Sequence, residues 1–151
     1  MDKPAIVIPS PVLYVGAFVV GGLGQFIWRV PMPAERAALW LGLILFALGV
    51  AVSLQGLIVL ARNHTPVDPS RPVTAVVTQG PYRWSRNPLY LGQTAMYLGA
   101  ALFWHLTWSV IFLVPVVLIV HYKIIKPEEA YLQEKFPDTY PAYQRRVRRW
   151  L

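Results

Sequence analysis

Cysteine is absent from this chain of 151 residues. Disulfides, thiolate metal ligands and a cysteine nucleophile are therefore excluded. Charge is scarce as well, at 14% of residues, and acidic residues are scarcest, 7 against 14 Lys plus Arg. The formal net charge of +7 would suggest nucleic acid in a soluble domain. Here the basic residues flank apolar stretches, so membrane orientation is the better reading and no nucleic-acid partner is expected. The chain has no Walker-type loop and no GxGxxG run. No His, Asp and Glu set has metal-site spacing, so no metal is expected. Repeats and low-complexity tracts are also missing. The first apolar run lacks a strongly basic n-region and an A-x-A-like site, so no cleaved leader is expected.

What is abundant is apolar surface, at 56% of residues. Four apolar segments stand out, at about 11–28, 37–60, 89–104 and 106–122. A hydrocarbon core of about 30 Å needs about 20 helical residues. The first two segments meet that. The last two are short unless their polar-tipped ends (Tyr90, Trp104, His105 and Tyr122) are counted. Hydrocarbon demands internally bonded backbone, and the segments show almost no polar stripe, so helices in lipid are expected. The expected fold is an all-α integral membrane protein of one domain, residues 1–151. It has four transmembrane helices, a long cytosolic loop (63–88) and C-terminal amphipathic helices in a cytosolic tail (123–151).

Eleven of the fourteen basic residues fall in two places. Arg62, Arg71, Arg83 and Arg86 lie in the loop. Lys123, Lys126, Lys135, Arg145, Arg146, Arg148 and Arg149 lie in the tail. The positive-inside rule puts both, and the N-terminus, in the cytoplasm. Trp28, Trp40, Trp104 and Trp108 sit near segment ends, as interfacial aromatics do. Small residues four apart (Ala17 and Gly21, Gly49 and Ser53, Ala95 and Gly99) suit close helix packing in lipid. The loop carries Pro66, Pro69, Pro72, Pro81 and Pro88, and a loop this long is usually functional or disordered. In the tail, Pro127 suits the first position of a helix, with Glu128 and Glu129 in a first turn that favours anions. Asp138 or Thr139 is placed to cap a second helix, on which Tyr140, Tyr143 and Val147 share a face.

Two polar signatures bracket the last pair of segments. The first is GPYRWSRNPLYLG, Gly80–Gly92; the second begins PEEAYLQEKFPDTY at Pro127. Gly80, Tyr82, Arg86, Pro88, Tyr90 and Gly92, followed by Glu128, Glu129, Leu132, Phe136, Tyr140, Tyr143 and Arg145, resemble the isoprenylcysteine carboxyl methyltransferase family. That family is meant in the broad sense that includes phospholipid methyltransferases and small bacterial members. The resemblance covers roughly residues 62–151. Asn87 stands where the family usually has histidine. Ile124 stands where eukaryotic members have a substrate-linked arginine, and neither Lys123 nor Lys126 can act as a bidentate carboxylate clamp.

The resemblance implies S-adenosylmethionine as methyl donor and a lipophilic small molecule or lipid as acceptor. It carries donor contacts onto Thr74, Ala75, Val76, Val77, Tyr82, Asn87, Pro88, Leu89, Tyr90, Gly92 and Glu128. Physical sense supports this. Glu128 or Glu129 can accept from an ammonium or a ribose hydroxyl. The start of the third segment can take a carboxylate, with Asn87 capping it. Tyr82 and Tyr90 offer aromatic faces to adenine or to the sulfonium. Arg86, Glu129 and His121 are candidates to orient the acceptor or steer protons. Each piece has a plain structural reading, as cap, dipole match or interfacial anchor, and none of these explains both signatures together. The rival readings are an NADPH-dependent sterol-reductase-like membrane enzyme and a non-catalytic lipid-binding module. The short form suggests a bacterial inner membrane.

Overall fold

The computed structural model describes residues 9–66 and 73–151. Residues 1–8, and with them the N-terminus, lie outside the described residues, as do Pro69, Arg71 and Pro72 of the loop. The described residues form α1 (Ser10–Ile27), α2 (Glu35–Arg62), a 3-10 turn (Gly80–Arg83), α3 (Pro88–Phe103) and α4 (Thr107–Ile119). A π-helical turn (Val120–Ile125), α5 (Lys126–Lys135) and α6 (Thr139–Arg146) follow. The fold is all-α; among the described residues the only extended pairing is an isolated parallel bridge between Ser85 and Arg148.

Three helices are long and apolar enough to cross a membrane: Ser10–Ile27, Glu35–Arg62 and the continuous Thr107–Lys135. The third expected span is α3, with 16 residues. At 1.5 Å per residue it is about 24 Å long, less than the roughly 30 Å of a hydrocarbon core. The outward faces of α1 and α2 expose Val15, Val19 and Leu23, and Leu41, Ile44 and Leu48. Contiguous apolar surface of this kind is solvated by lipid rather than water.

The helices approach through glycine. Gly42, Gly49 and Gly56 are buried at seven-residue spacing on α2. A Cβ on Gly49 would lie 2.7 Å from the Gly92 carbonyl oxygen, and one on Gly42 would lie 2.6 Å from that of Gly99. Gly42 opposite Gly99 and Gly49 opposite Gly92 make α2 and α3 antiparallel along almost the whole of α3. Without an effect of water to drive helices together in lipid, such close backbone contact supplies the attraction. Of the small-residue pairs read from the sequence, Gly49, Ser53 and Gly99 lie in this seam. Gly21 packs instead on Ser109 of α4, whose hydroxyl donates to the Phe18 carbonyl at 3.2 Å.

Two local expectations are corrected. Pro127 does not start a separate tail helix. The helix from Thr107 runs through it, because the π-helical turn bonds the Lys126 N–H back to the His121 carbonyl. One wide turn re-registers the ladder just before a residue with no N–H to contribute. The second tail helix forms as α6, but Asp138 makes no side-chain cap. Its φ of −93° and ψ of −41° are near-helical, whereas a capping residue is extended. Tyr140 and Tyr143 are buried on one face of α6, while Val147 lies past its end in extended conformation.

Candidate active site

A cavity of about 530 Å³ opens where the loop, the 3-10 turn, the start of α3, α5 and α6 meet, with the start of α1 on its rim. Of the residues the resemblance assigned to the donor, Ala75, Val76, Val77, Tyr82, Asn87, Pro88, Leu89, Tyr90 and Glu128 line it. Thr74 is exposed and not among them. Its hydroxyl donates to the His64 carbonyl at 3.1 Å and shares a hydrogen bond with Thr65. Gly92 is not among them either, since it is spent in the seam against Ser53. Arg86 lines the cavity, whereas Glu129 and His121 do not.

Glu128 joins the two signatures. The Tyr90 hydroxyl, 38 residues away in sequence, donates to its Oε2 at 2.8 Å. α5 leaves the carboxylate facing the cavity because Glu128 comes early in a helix that continues straight out of the π-helical turn.

Glu129 points the other way and is committed. Arg149 places Nε 3.1 Å from both its oxygens and Nη2 2.7 Å from Oε2. Arg86 Nη1 lies 3.4 Å from Oε1. The hydrogen bonds to Glu129 push the Arg149 guanidinium further up, so it stays charged. His121 lies beside this cluster. Its Nδ1 accepts from Trp150 Nε1 at 3.2 Å, and the two rings stack 14° from parallel.

Asn87 does not cap α3 with its side chain. Its Nδ2 donates to the Arg149 carbonyl at 3.0 Å, and its own N–H donates to Ser85 Oγ at 3.1 Å. Ser85 Oγ in turn reaches the Arg149 carbonyl at 3.3 Å, and the Arg86 N–H donates to the Arg148 carbonyl at 2.9 Å. The last residues of the chain thus bind the strand-like turn that leads into α3. An amide that donates outward to a carbonyl is not oriented to accept from the helix N–H groups.

Tyrosine forms much of the remaining wall. Tyr82, Tyr90, Tyr140 and Tyr143 all line the cavity. Burial, first of all, pushes the phenols of Tyr82, Tyr140 and Tyr143 up, and nearby glutamate charge adds to the shift for the first two. They remain neutral hydrogen-bonding groups rather than bases. The Tyr143 hydroxyl donates to the Tyr82 carbonyl at 2.6 Å, which ties α6 to the 3-10 turn. The sequence placed Tyr140 and Tyr143 on a shared helix face and in the second signature, but gave them no contact with the donor. It missed Gln93, which lines the cavity; the signal was a polar residue inside an apolar run. It also missed Arg149, one of four similar arginines, for which the sequence holds no distinguishing signal.

A second, lipid-side groove of about 280 Å³ lies along α1 and α3, lined by Tyr14, Phe18, Met96, Tyr97 and Trp104. It shares Pro11 and Gln93 with the cavity.

Comparison with known proteins places this arrangement. A relative in Haemophilus influenzae (strain ATCC 51907 / DSM 11121 / KW20 / Rd), an uncharacterized protein, is 35% identical over 63 residues, 42% of this chain and 79% of that protein. The family model for phospholipid methyltransferases matches residues 37–139, from the start of α2 to the start of α6, and so takes in the first signature and the second from Pro127 to Thr139, Glu128 included. With the match extending over more than half its length, this chain belongs to the phospholipid methyltransferase family.

Proposed function

We propose that this protein transfers a methyl group from S-adenosylmethionine to a lipophilic, membrane-embedded acceptor at the cytoplasmic face of a bacterial inner membrane. The observation that carries the proposal is the single cavity shared by both signatures, with Glu128 as its carboxylate and Tyr90 as that carboxylate's anchor. A cavity of this volume is within the usual range for small-molecule sites, roughly 300–1,000 Å³.

The lining fits the donor. Glu128 matches an ammonium or a ribose hydroxyl. Tyr82, Tyr140 and Tyr143 give aromatic faces that suit adenine and attract a sulfonium. Leu60, Val77, Leu89 and Leu132 add apolar wall, and Arg86, Asn87 and Gln93 add polar groups. When bound, S-adenosylmethionine supplies an electrophilic methyl group on a sulfonium. The chain's own part is to hold that group in line with the acceptor and to exclude water, which otherwise solvates charge that the reaction disperses. The lipid-side groove supports an acceptor arriving from the bilayer, because it meets the cavity at Gln93.

In this reading α3 is a fourth crossing, shorter than the others. It lies against α2 from Gly42 to Gly56. The turn after it contacts the start of α2, with His105 Nε2 3.0 Å from the Glu35 carbonyl oxygen. The first step after α3 also meets the end of α1, where Trp108 Nε1 donates to the Trp28 carbonyl at 2.8 Å. These contacts support placing the turn on the side opposite the cavity and the basic tail.

The test is titration calorimetry on the full chain in detergent micelles with S-adenosylhomocysteine and, separately, NADPH, followed by transfer of a labelled methyl group into a bacterial lipid extract. Binding of S-adenosylhomocysteine and label in the organic phase are expected. Binding of NADPH alone would overturn the proposal in favour of a reductase.

A further inference from the structure

Arg86 is the one cation among the described residues lining the cavity, and its charge is not fully matched. Its side chain is 11% exposed. Its Nε is buried and has no hydrogen-bond partner among the described residues. Among the described residues its Nη1 has only the long 3.4 Å contact to Glu129. The oxygens of Glu129 are already taken at 2.7 to 3.1 Å by Arg149. One carboxylate therefore serves two guanidiniums, while Glu128, the other carboxylate at the cavity, bonds Tyr90 and makes no ion pair with Arg86 among the described residues. A buried N–H without a partner and a buried charge without a counter-charge are both costly, and an oxygen anion in the cavity relieves both.

We propose that Arg86 binds an oxyanion, a carboxylate or a phosphate, inside the cavity, and that Glu129 and Arg149 are positioning residues that hold it there. The proposal rests on the methyl-donor reading. The fork geometry of a guanidinium suits both oxyanions. The first turn of α3, which begins two residues later, adds a helix dipole of the same sign. The backbone of Arg86 is fixed from the same direction as its side chain. Its N–H is bound by the Arg148 carbonyl at 2.9 Å, while the neighbouring Asn87 is bound by the Arg149 carbonyl at 3.0 Å. The chain end thus sets the guanidinium through both main chain and side chain.

Two sources can supply the oxyanion: the donor's own carboxylate, or an anionic group on the lipid acceptor. Calorimetry on the full chain in micelles separates them. The probes are S-adenosylhomocysteine, its decarboxylated analogue, and dodecyl phosphate added to protein saturated with S-adenosylhomocysteine. If the donor is the source, Arg86→Gln weakens S-adenosylhomocysteine at least tenfold and leaves the decarboxylated analogue within twofold of wild type. If the acceptor is the source, Arg86→Gln leaves both nucleosides unchanged and abolishes binding of dodecyl phosphate. Wild-type affinity of Arg86→Gln for all three probes overturns the assignment. The decarboxylated analogue also reports folding, since a misfolded variant loses it too; Arg86→Lys, which keeps the charge, then replaces Arg86→Gln and is expected to weaken the same probe by a smaller factor.

Arg149→Ala is expected to weaken that same probe, with recovery when guanidinium is added at millimolar concentration. Equal loss of S-adenosylhomocysteine and its decarboxylated analogue, without recovery, would reduce Arg149 to a structural role and refute the positioning claim. A wild-type protein that binds no S-adenosylhomocysteine defeats the methyl-donor reading and this assignment with it. Wild-type binding of S-adenosylhomocysteine, with all three probes left unmoved by Arg86→Gln, defeats the assignment alone.

Discussion

Replacing Glu128 by glutamine tests the centre of the proposed site at nearly constant shape. The Tyr90 hydroxyl donates to Oε2 at 2.8 Å, and an amide oxygen in the same place still accepts that bond. What changes is charge. The carboxylate offers its remaining lone pairs to the cavity as an anion, whereas the amide offers a neutral oxygen and a donor NH₂. Against an ammonium the exchange removes one charge-assisted hydrogen bond, about 1.5–3 kcal/mol. At 1.4 kcal/mol per decade, the dissociation constant for S-adenosylhomocysteine is expected to rise roughly 10- to 150-fold. The assay is calorimetry in micelles, with Tyr90→Phe as companion. That variant frees Glu128 to turn but keeps its charge, so a smaller loss is expected, about 0.5–1.5 kcal/mol for one neutral bond. An affinity of Glu128→Gln equal to wild type would show that Glu128 does not hold the donor's cation, and the reasoning from the shared cavity would fail with it.

Three further outcomes follow from the packing and the clasp. Glu129→Gln leaves the buried Arg86 without its counter-charge, and breaking such a pair costs roughly 3–5 kcal/mol; because the Arg149 side chain is 32% exposed, the lower end is expected, and an unchanged melting temperature in micelles would contradict it. Gly49→Ala puts a Cβ 2.7 Å from the Gly92 oxygen and should cost about 1–3 kcal/mol by forcing α2 and α3 apart. Gly16→Ala, whose Cβ would meet nothing within 4 Å, is the matched control and should melt at or above wild type. Asn87→Ala loses the bond to the Arg149 carbonyl, and faster amide exchange over residues 147–151 is expected. Asn87→Asp discriminates the cause: aspartate is a good helix cap but has no donor for that carbonyl, so protection equal to wild type would restore the capping role that the structure denies.

The long apolar helices were legible because hydrocarbon imposes one rule along the whole chain, and residue type alone satisfies it. α1 and α2 accordingly start and stop within two residues of the sequence boundaries. The basic loop and tail were legible for the same reason, since charge is local. The two signatures were legible as a pair because their residue types recur in a family. The sequence placed Pro127, Glu128 and Glu129 in a first turn, as α5 has them, but not the join to α4, since a π-helical turn is a response to packing and leaves no compositional mark. It gave Asn87 a cap, the commonest local use of that side chain, because the competing carbonyl at Arg149 is 62 residues away.

The partition between Glu128 and Glu129 shows the boundary most clearly. Adjacent and chemically alike, they could not be separated by type. Helical geometry turns neighbouring side chains about 100° apart, so one meets Tyr90 and the cavity while the other meets Arg86 and Arg149. The sequence by itself determined a lipid-embedded helical protein with a polar, methyltransferase-like face. Which carboxylate faces the cavity, which arginine keeps a free donor, and that Arg149 grips Glu129 and, through its carbonyl, Asn87 were decided only by the tertiary structure, because those contacts join residues that are far apart along the chain.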